Sequence, residues 1–288
     1  MGGAFGRGRR VNYHDGPMDR YAVVGNPVSH SLSPRIHALF ARAMGEALEY
    51  SALEAPLDAF AATMRDFFAA GARGANVTLP FKVEALAFAQ SASERAKIAG
   101  AANFLAARDG RIEADNTDGA GLVADLERNA GFPIRGRRIL MLGAGGAARG
   151  VIAPLLAKAP SILVVANRTA ARAFELAQRF AALGDIRGVD LAAIPPGAFD
   201  LVLNATSSSV HGQPLTLPTL SMAPDALAYD MAYGKSAHAF VAAARAAGFQ
   251  ACDGLGMLVE QAAESFELWR GRRPATASVL EELSKLRA

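Results

Sequence analysis

The stretch Ile139-Leu140-Met141-Leu142-Gly143-Ala144-Gly145-Gly146-Ala147-Ala148-Arg149-Gly150 sets out a strand, a glycine-rich turn and the start of a helix, in that order. The apolar run over 139–142 suits a strand buried on both faces. Gly143 permits the tight turn, Gly145 lets the backbone approach a pyrophosphate, and Ala148 is small enough for close helix–strand packing. The helix that follows aims its first N–H groups at the turn, where they can hold phosphate. Glycines alone are a weak signal, and a purely structural turn is the competing reading. Their place between a strand and an apolar helix is the context that points to dinucleotide binding.

One strand further on, 161–166 is again apolar and runs into Asn167-Arg168-Thr169, with Arg172 a turn later. A site for NAD usually carries an acidic residue at this tip, bound to the ribose 2′-hydroxyl. Here the tip has no carboxylate. Two guanidiniums and a hydroxyl suit a 2′-phosphate, so NADP is the expected cofactor. Ordinary surface arginines are the alternative, but cations at a helix start oppose the helix dipole unless an anion is near. The β-α pattern continues through helix 170–182, strands 200–204 and 226–231, and helix 237–247. Two more helices, over 255–271 and 275–286, close the chain.

The same alternation precedes the glycine turn. Residues 21–24 form a short apolar strand ending at Gly25-Asn26-Pro27. Ser33-Pro34 then opens a helix, with serine expected at the N-cap and proline in the first turn, and Gly45 ends it. Strand 48–53, helix 58–70 and strand 74–77 follow. A hairpin comes next, because Asp109-Gly110 between strands 102–107 and 111–115 is a strong two-residue turn signal. With that turn fixed, Arg108 faces Arg111, and counting back brings Asn103 opposite Asn116. Asn103 and the Asn116-Thr117-Asp118 segment are therefore expected to be neighbours. A helix over 119–130 follows, closed by Gly131, and either Thr117 or Asp118 suits its N-cap.

The strand over 74–77 runs out into Asn76-Val77-Thr78-Leu79-Pro80-Phe81-Lys82, where Pro80 stops the ladder. A lysine at such a place is ordinarily a solvated charge. Asp118, beside Asn103, is the candidate partner that changes this reading. Ser29, Ser31 and Ser33 lie in the loop after the first strand, and open α/β sheets bind ligands at such strand ends. A lysine and a carboxylate meeting there can exchange a proton with a substrate oxygen.

The composition narrows the class. At 288 residues with 51% hydrophobic content, the chain can bury two domain cores. The net charge is only +3, and no basic stripe interleaves with aromatics, so nucleic acid is not an expected partner. A single cysteine, Cys252, leaves no intramolecular disulfide and fits a cytoplasmic protein. No apolar run has the length of a membrane span. No metal site is expected. Residues 1–17 are Gly- and Arg-rich without the apolar centre of a signal peptide, and read as a flexible leader.

Taken together, the ordered motifs resemble the shikimate dehydrogenase family, NADP-dependent enzymes of aromatic amino-acid biosynthesis. The resemblance runs from Tyr21 onward. It includes Gly25-Asn26-Pro27, Ser31-Leu32-Ser33-Pro34, the 76–82 heptapeptide and Asp115-Asn116-Thr117-Asp118-Gly119. It continues through the glycine turn, Asn167-Arg168-Thr169, Asn204-Ala205-Thr206-Ser207, Tyr229-Asp230-Met231 and Gly254-Leu255-Gly256-Met257-Leu258.

The resemblance implies roles. Lys82 and Asp118 become the catalytic pair. Ser31 and Ser33 take the substrate carboxylate, with Tyr233 near it, while Asn76, Thr78, Asn103 and Gln261 hold the ring hydroxyls and carbonyl. Gly145, Gly146 and Ala147, after Gly143, receive the pyrophosphate, and Asn167, Arg168, Thr169 and Arg172 the 2′-phosphate. Thr206 and Met231 border the cofactor and Gly254 the nicotinamide. One departure is Phe104, where the family usually has threonine. Strand alternation turns Phe104 away from Asn103 and into the core.

The expected architecture is two α/β domains. A leader (1–17) precedes a substrate domain (18–131) with a mostly parallel sheet and a Rossmann-type NADP domain (132–253). The last helices (254–288) return to the first domain, since Gln261 must reach the substrate. The expected reaction is reduction of 3-dehydroshikimate to shikimate by a monomer or homodimer. Broader activity on quinate, or a non-catalytic NADP or shikimate sensor on the same fold, are the alternatives.

Overall fold

The computed structural model describes residues 18–206 and 221–285. The leader over 1–17 and Ser207 of the Asn204-Ala205-Thr206-Ser207 motif lie outside the described residues. The apolar segments assemble into two six-stranded sheets. The first contains β1 (Asp19–Gly25), β2 (Leu48–Glu54), β3 (Gly74–Val77), β4 (Ser91–Ala92), β5 (Phe104–Arg108) and β6 (Arg111–Asp115). Their order is β2-β1-β3-β5-β6-β4. The pairs β1–β2, β1–β3 and β4–β6 are parallel, while β5 runs antiparallel to both neighbours. The hairpin has the register that the Asp109-Gly110 turn dictates, with Arg108 opposite Arg111 and Phe104 opposite Asp115. Asp109 and Gly110 both take positive φ, 50° and 73°, as a two-residue hairpin turn of this kind requires.

The second sheet contains β7 (Arg138–Leu142), β8 (Ile162–Asn167), β9 (Ile186–Asp190), β10 (Phe199–Asn204), β11 (Met222–Asp230) and β12 (Gln250–Cys252). All of its pairings are parallel, in the order β12-β11-β10-β7-β8-β9. This is the doubly wound 3-2-1-4-5-6 arrangement, whose ligand crevice opens where the order reverses, between β7 and β10. The central strand β7 is apolar from Ile139 to Leu142 because both of its faces are covered. Ile139 and Met141 join one core with Val151, Leu155 and Leu163, while Leu140 and Leu142 join another with Val164, Val202 and Phe240.

Ten α-helices complete the described chain: α1 (Ser33–Met44), α2 (Phe60–Ala69), α3 (Lys82–Phe88), α4 (Glu94–Ala99), α5 (Asp118–Ala124), α6 (Gly146–Ala157), α7 (Ala170–Phe180), α8 (His238–Ala246), α9 (Leu255–Arg270) and α10 (Ala277–Lys285). On one face of the first sheet Phe60, Met64 and Phe81 pack against Ala22, Val24 and Leu105. The other face is covered by α1 together with α9 and α10, through Ile36, Phe40, Leu255, Val259, Phe266 and Leu283. Thus α9, far along the chain, lies against α1 near its beginning.

Several local expectations change. Ser33 is not the N-cap of α1. That place is taken by Leu32, and Ser31 Oγ instead accepts the Ser33 N–H at 3.2 Å. The helix expected over 119–130 is α-helical only to Ala124 and then widens to a π-turn over Asp125–Asn129. Thr117 does take the N-cap place of α5, as expected, but makes no side-chain cap hydrogen bond; its side chain and that of Asp118 are engaged elsewhere, as described below. The short elements α3, α4, β4 and β12 lack the length that gives a periodic signal, and β9 (Ile-Arg-Gly-Val-Asp) has only two apolar side chains.

Candidate active site

The candidate residues of the first domain converge at the strand ends nearest the second domain. Lys82 is the first residue of α3, a poor place for a cation beside a helix N-terminus. Its ammonium is offset by Asp118, the first residue of α5, through a contact of 2.6 Å from Nζ to Oδ2. The lysine side chain is 15% exposed and the carboxylate 7%. Two charges withdrawn from water to this degree need further donors and acceptors to be tolerated. Asn103 supplies one, donating Nδ2 to Asp118 Oδ1 at 2.8 Å, and the Asp118 N–H donates to Asn116 Oδ1 at 3.1 Å.

From Asn103 the mesh spreads across four elements. Its Nδ2 also lies 2.9 Å from Thr117 Oγ1 and 3.2 Å from Gln261 Oε1, while its Oδ1 accepts the Thr117 N–H at 2.7 Å. Thr117 Oγ1 stands 3.2 Å from Ser265 Oγ on α9. Asn76 Nδ2 donates to that same Ser265 oxygen at 2.9 Å and to the Asn103 carbonyl at 3.2 Å. Tyr50 of β2 closes the far end by donating its hydroxyl to Asn76 Oδ1 at 2.7 Å. The structure thus joins Lys82, Asp118, Asn103, Gln261 and Asn76 in one hydrogen-bonded set.

Ser31, Ser33 and Thr78 are not hydrogen-bonded to this set. Thr78 follows β3 directly, next to the Val24–Val77 pair, while Ser31 lies in the loop after β1 and Ser33 begins α1. Tyr233 is half-buried and packs against the α1–α9 core. Phe104 points away from the set, buried and stacked on Trp269 with ring centroids 5.0 Å apart.

Close packing at glycine brings the second domain onto this mesh. Gly119 of α5 lies so near α6 that a Cβ there would fall 2.3 Å from Pro154 Cγ and 2.6 Å from the Gly150 carbonyl oxygen. The backbone of α6 therefore runs directly over the carboxylate, and a methyl on Gly150 would sit 3.2 Å from Asp118 Oδ2. That same helix begins at the glycine-rich turn. Gly143 has φ +106° and abuts Ala205, so the turn needs glycine there.

The cofactor residues leave room that a nucleotide fits. Among the described residues, a Cβ built at Gly145 or Gly146 meets nothing within 4 Å, so none of them crowds the N-terminus of α6 there. Asn167 Nδ2 donates to the Thr169 carbonyl at 3.0 Å and holds the tip of β8 in shape. Arg168 and Arg172 are exposed, and neither makes an ion pair among the described residues. Backbone donors at one end and two unpaired guanidiniums at the other match a pyrophosphate and a 2′-phosphate.

The tips of β10 and β11, where the nicotinamide is expected, are built on a buried carboxylate. Asp230 accepts Asn204 Nδ2 at 2.9 Å and the Ala232 N–H at 2.8 Å, and burial pushes its carboxyl up to about 6. Asn204 Oδ1 in turn receives the Thr206 hydroxyl at 2.8 Å. The Met231 N–H donates to the Asn204 carbonyl at 3.0 Å, and the Gly254 N–H to the Ala232 carbonyl at 2.8 Å. Thr206, Met231 and Gly254 are thereby drawn together at the tips of β10 and β11. The sequence motifs did not single out Tyr50 or Ser265, nor the part Thr117 plays in the mesh. A signal existed for Ser265, which lies one helical turn after Gln261 on the same face of α9.

Fold and site together define a two-domain, dinucleotide-dependent oxidoreductase. Family models match the chain in three stretches: the shikimate dehydrogenase substrate-binding domain over 23–105, shikimate/quinate 5-dehydrogenase over 126–211, and the shikimate 5′-dehydrogenase C-terminal domain over 254–283. A shikimate dehydrogenase (NADP(+)) of Acidovorax sp. (strain JS42) is 52% identical over 269 residues, 92% of this chain and 95% of its own. Among solved structures, an Ael1 enzyme from Pseudomonas putida superposes with TM-score 0.82 at 48% identity, covering 92% of this chain and 98% of that one. The shikimate 5-dehydrogenase of Thermus thermophilus, in complex with NADP(H) and shikimate, gives TM-score 0.80 at 33% identity over 93% and 99% of the two chains. The chain belongs to the shikimate dehydrogenase family.

Proposed function

We propose that this protein catalyses the reversible reduction of 3-dehydroshikimate to shikimate with NADPH, and that Lys82 and Asp118 handle the proton. The observation that carries the reading is the Lys82–Asp118 contact of 2.6 Å, held in a buried mesh beneath the helix that starts at the glycine turn. The family relatives support the substrate and the cofactor.

NADPH, when bound, supplies a hydride to the ring carbonyl carbon. The protein provides the rest. The N–H groups at Gly145, Gly146 and Ala147 hold the pyrophosphate, and Asn167, Arg168, Thr169 and Arg172 the 2′-phosphate. Thr206, Met231 and Gly254 border the nicotinamide end. As the carbonyl oxygen gains alkoxide character, the Lys82 ammonium stabilises that charge and gives it a proton, which solvent later returns. Asp118 keeps the ammonium oriented, and Asn103 keeps Asp118 oriented. Ser31 and Ser33 take the substrate carboxylate, with Tyr233 near it, while Asn76, Thr78, Asn103 and Gln261 hold the ring oxygens.

Among the described residues no helix is long and apolar enough to cross a membrane. A cytoplasmic enzyme, monomeric or homodimeric, fits the single cysteine and the metabolic role. Domains divided at 131/132 and 253/254 fit the return of α9 to α1. The test is spectrophotometric. Shikimate with NADP+ should form NADPH, faster than shikimate with NAD+ or quinate with either cofactor. Absence of turnover with shikimate under all conditions would sink the proposal.

A further inference from the structure

After β11 the chain continues through Met231-Ala232-Tyr233-Gly234. The first two of these residues are held at the strand tips. The Met231 N–H donates to the Asn204 carbonyl at 3.0 Å, the Ala232 N–H to Asp230 Oδ1 at 2.8 Å, and the Ala232 carbonyl accepts the Gly254 N–H at 2.8 Å. Tyr233 follows in extended conformation, and beyond it the Gly234 N–H donates to Asp253 Oδ2 at 2.9 Å. Asp253 is within reach because β12 runs parallel to β11 with Cys252 opposite Tyr229, which brings the following residues, Asp253 and Asp230, level with each other. The second Asp253 oxygen, Oδ1, accepts the N–H of Leu255, the first residue of α9, at 3.2 Å. That is the local turn aspartate makes with the backbone two residues on, and a carboxylate beside a helix N-terminus is favourable. One carboxylate thus starts a helix and also grips a loop from another part of the chain. The grip is close, since a Cβ on Gly254 would fall 2.4 Å from the Met231 carbonyl oxygen.

We propose that Asp253 is a positioning residue for the substrate: by holding the Gly234 N–H against the start of α9, it sets Tyr233 at the carboxylate end of the ring. This rests on the functional reading above and deepens it. Asp253 has no need to touch the ligand. The bond to Leu255 alone would begin the helix. The bond to Gly234 does something else: it fixes the loop that carries Tyr233 to the helix that carries Gln261. The two residues assigned to opposite ends of the substrate are thereby set against each other. The residues that border the nicotinamide are not part of this arrangement, because Met231 and Ala232 have anchors of their own at Asn204, Asp230 and Gly254.

Serine in place of Asp253 separates the two tasks. Its hydroxyl still accepts the Leu255 N–H in the same kind of local turn, but it is one atom shorter and has a single oxygen, so Gly234 is released. Alanine serves neither N–H. Steady-state kinetics and urea unfolding are measured for wild type, Asp253→Ser, Asp253→Ala, Tyr233→Phe and the double variant Asp253→Ser with Tyr233→Phe. Asp253→Ser should regain much of the stability that Asp253→Ala loses. Both should nevertheless raise KM for shikimate roughly 3- to 10-fold, with kcat and KM for NADP+ within about twofold of wild type, because Tyr233 is displaced rather than removed. Tyr233→Phe should raise the same KM roughly 10- to 100-fold, the worth of one hydrogen bond to a charged group. Asp253→Ser should add less than about twofold in the Tyr233→Phe background, since the two residues act through one contact. If Asp253→Ala does not fold, the serine variant and the cycle carry the test. A wild-type KM in Asp253→Ser, a wild-type KM in Tyr233→Phe, or a double variant whose effect is the product of the two singles overturns the inference alone. A wild-type protein that does not turn over shikimate overturns the functional reading and this inference with it.

Discussion

The two halves of the site are built on opposite plans. On the substrate side the central polar groups are already engaged: Lys82 with Asp118, Asn103 with Asp118, Thr117 and Gln261, and Asn76 with Tyr50 and Ser265. On the cofactor side the groups stand open among the described residues, with none of these within 4 Å of a Cβ at Gly145 or Gly146 and two exposed guanidiniums at Arg168 and Arg172. The difference follows from the ligands. A small ring with several oxygens is recognised by direction, so its partners are fixed beforehand by buried hydrogen bonds, where orientation is worth most. A long, charged nucleotide is recognised by its phosphates, so backbone N–H groups and unpaired cations suffice. Damage to the proposed catalytic pair of the first plan should therefore appear in kcat, and damage to the second in cofactor affinity and its dependence on salt.

The largest effect is expected at Lys82. Lys82→Ala removes the proposed proton donor and leaves the Asp118 carboxylate buried without its cation. The expected fall in kcat is about 10²-fold or more, the usual scale for a general acid–base group. KM for shikimate should change little, because Asn103 and the serines remain. Steady-state kinetics at saturating NADP+ decide the matter, and a kcat close to wild type would remove Lys82 from the mechanism.

Arg168→Ala attacks the open half. Loss of one charge-assisted hydrogen bond costs about 1.5–3 kcal/mol, or roughly 10- to 100-fold in affinity. KM for NADP+ should rise by that factor while KM for NAD+ and kcat stay put. The wild-type KM for NADP+ should also climb with ionic strength, because the guanidinium is exposed and screened. An equal loss for NADP+ and NAD+ would mean that Arg168 does not read the 2′-phosphate.

Between the halves lies the crossing of α5 and α6. Gly119→Ala places a methyl against Pro154 and the Gly150 carbonyl, at distances that force the helices apart. Overpacking of this kind costs about 1–3 kcal/mol. Because Gly150 lies over Asp118, the movement should also lower kcat, several-fold. Denaturation and kinetics on the same preparation test this. Full stability together with full activity would show that the two halves are not joined there.

Much of this was legible in the sequence, for reasons that differ between the halves. The cofactor half is local: a strand, its turn and its helix are contiguous, so 139–150 alone reveals the Rossmann core. The substrate half is assembled from four distant segments. Only the Asp109-Gly110 turn, by fixing the register of β5 and β6, brought Asn103 to Asp118 in advance. Tyr50 and Ser265 stayed hidden because a polar residue in a strand or helix ordinarily faces water. What buries them is α9 returning to pack beside α1 across the first sheet, and no local pattern encodes that contact. The π-turn at Asp125–Asn129 was also invisible. Asp125 there accepts the Tyr229 hydroxyl of β11 at 2.6 Å, a partner far along the chain.

The smallest effect tests how dry the substrate half is behind Asn76. His37 is buried among Tyr50, Phe40, Phe266 and Trp269, and burial lowers its imidazole from 6.5 to about 3. In the unfolded chain the same imidazole titrates near its ordinary value, so between those limits the unfolded state binds more protons than the folded one. Stability attributable to a neutral His37 is therefore complete above about pH 6.5 and lost as pH falls toward 3. The slope should be about 1 kcal/mol per pH unit just below the ordinary histidine value, since a full proton of difference between the two states is worth about 1.4 kcal/mol for each pH unit. His37→Phe keeps the ring stacked on Tyr50 but cannot take up a proton. The difference in unfolding free energy between wild type and His37→Phe, followed by urea denaturation at several pH values, should then move in favour of the variant as pH falls. A difference that stays constant with pH would mean that water reaches the imidazole in the folded protein, and the wall behind Tyr50 would be wetter than its packing implies.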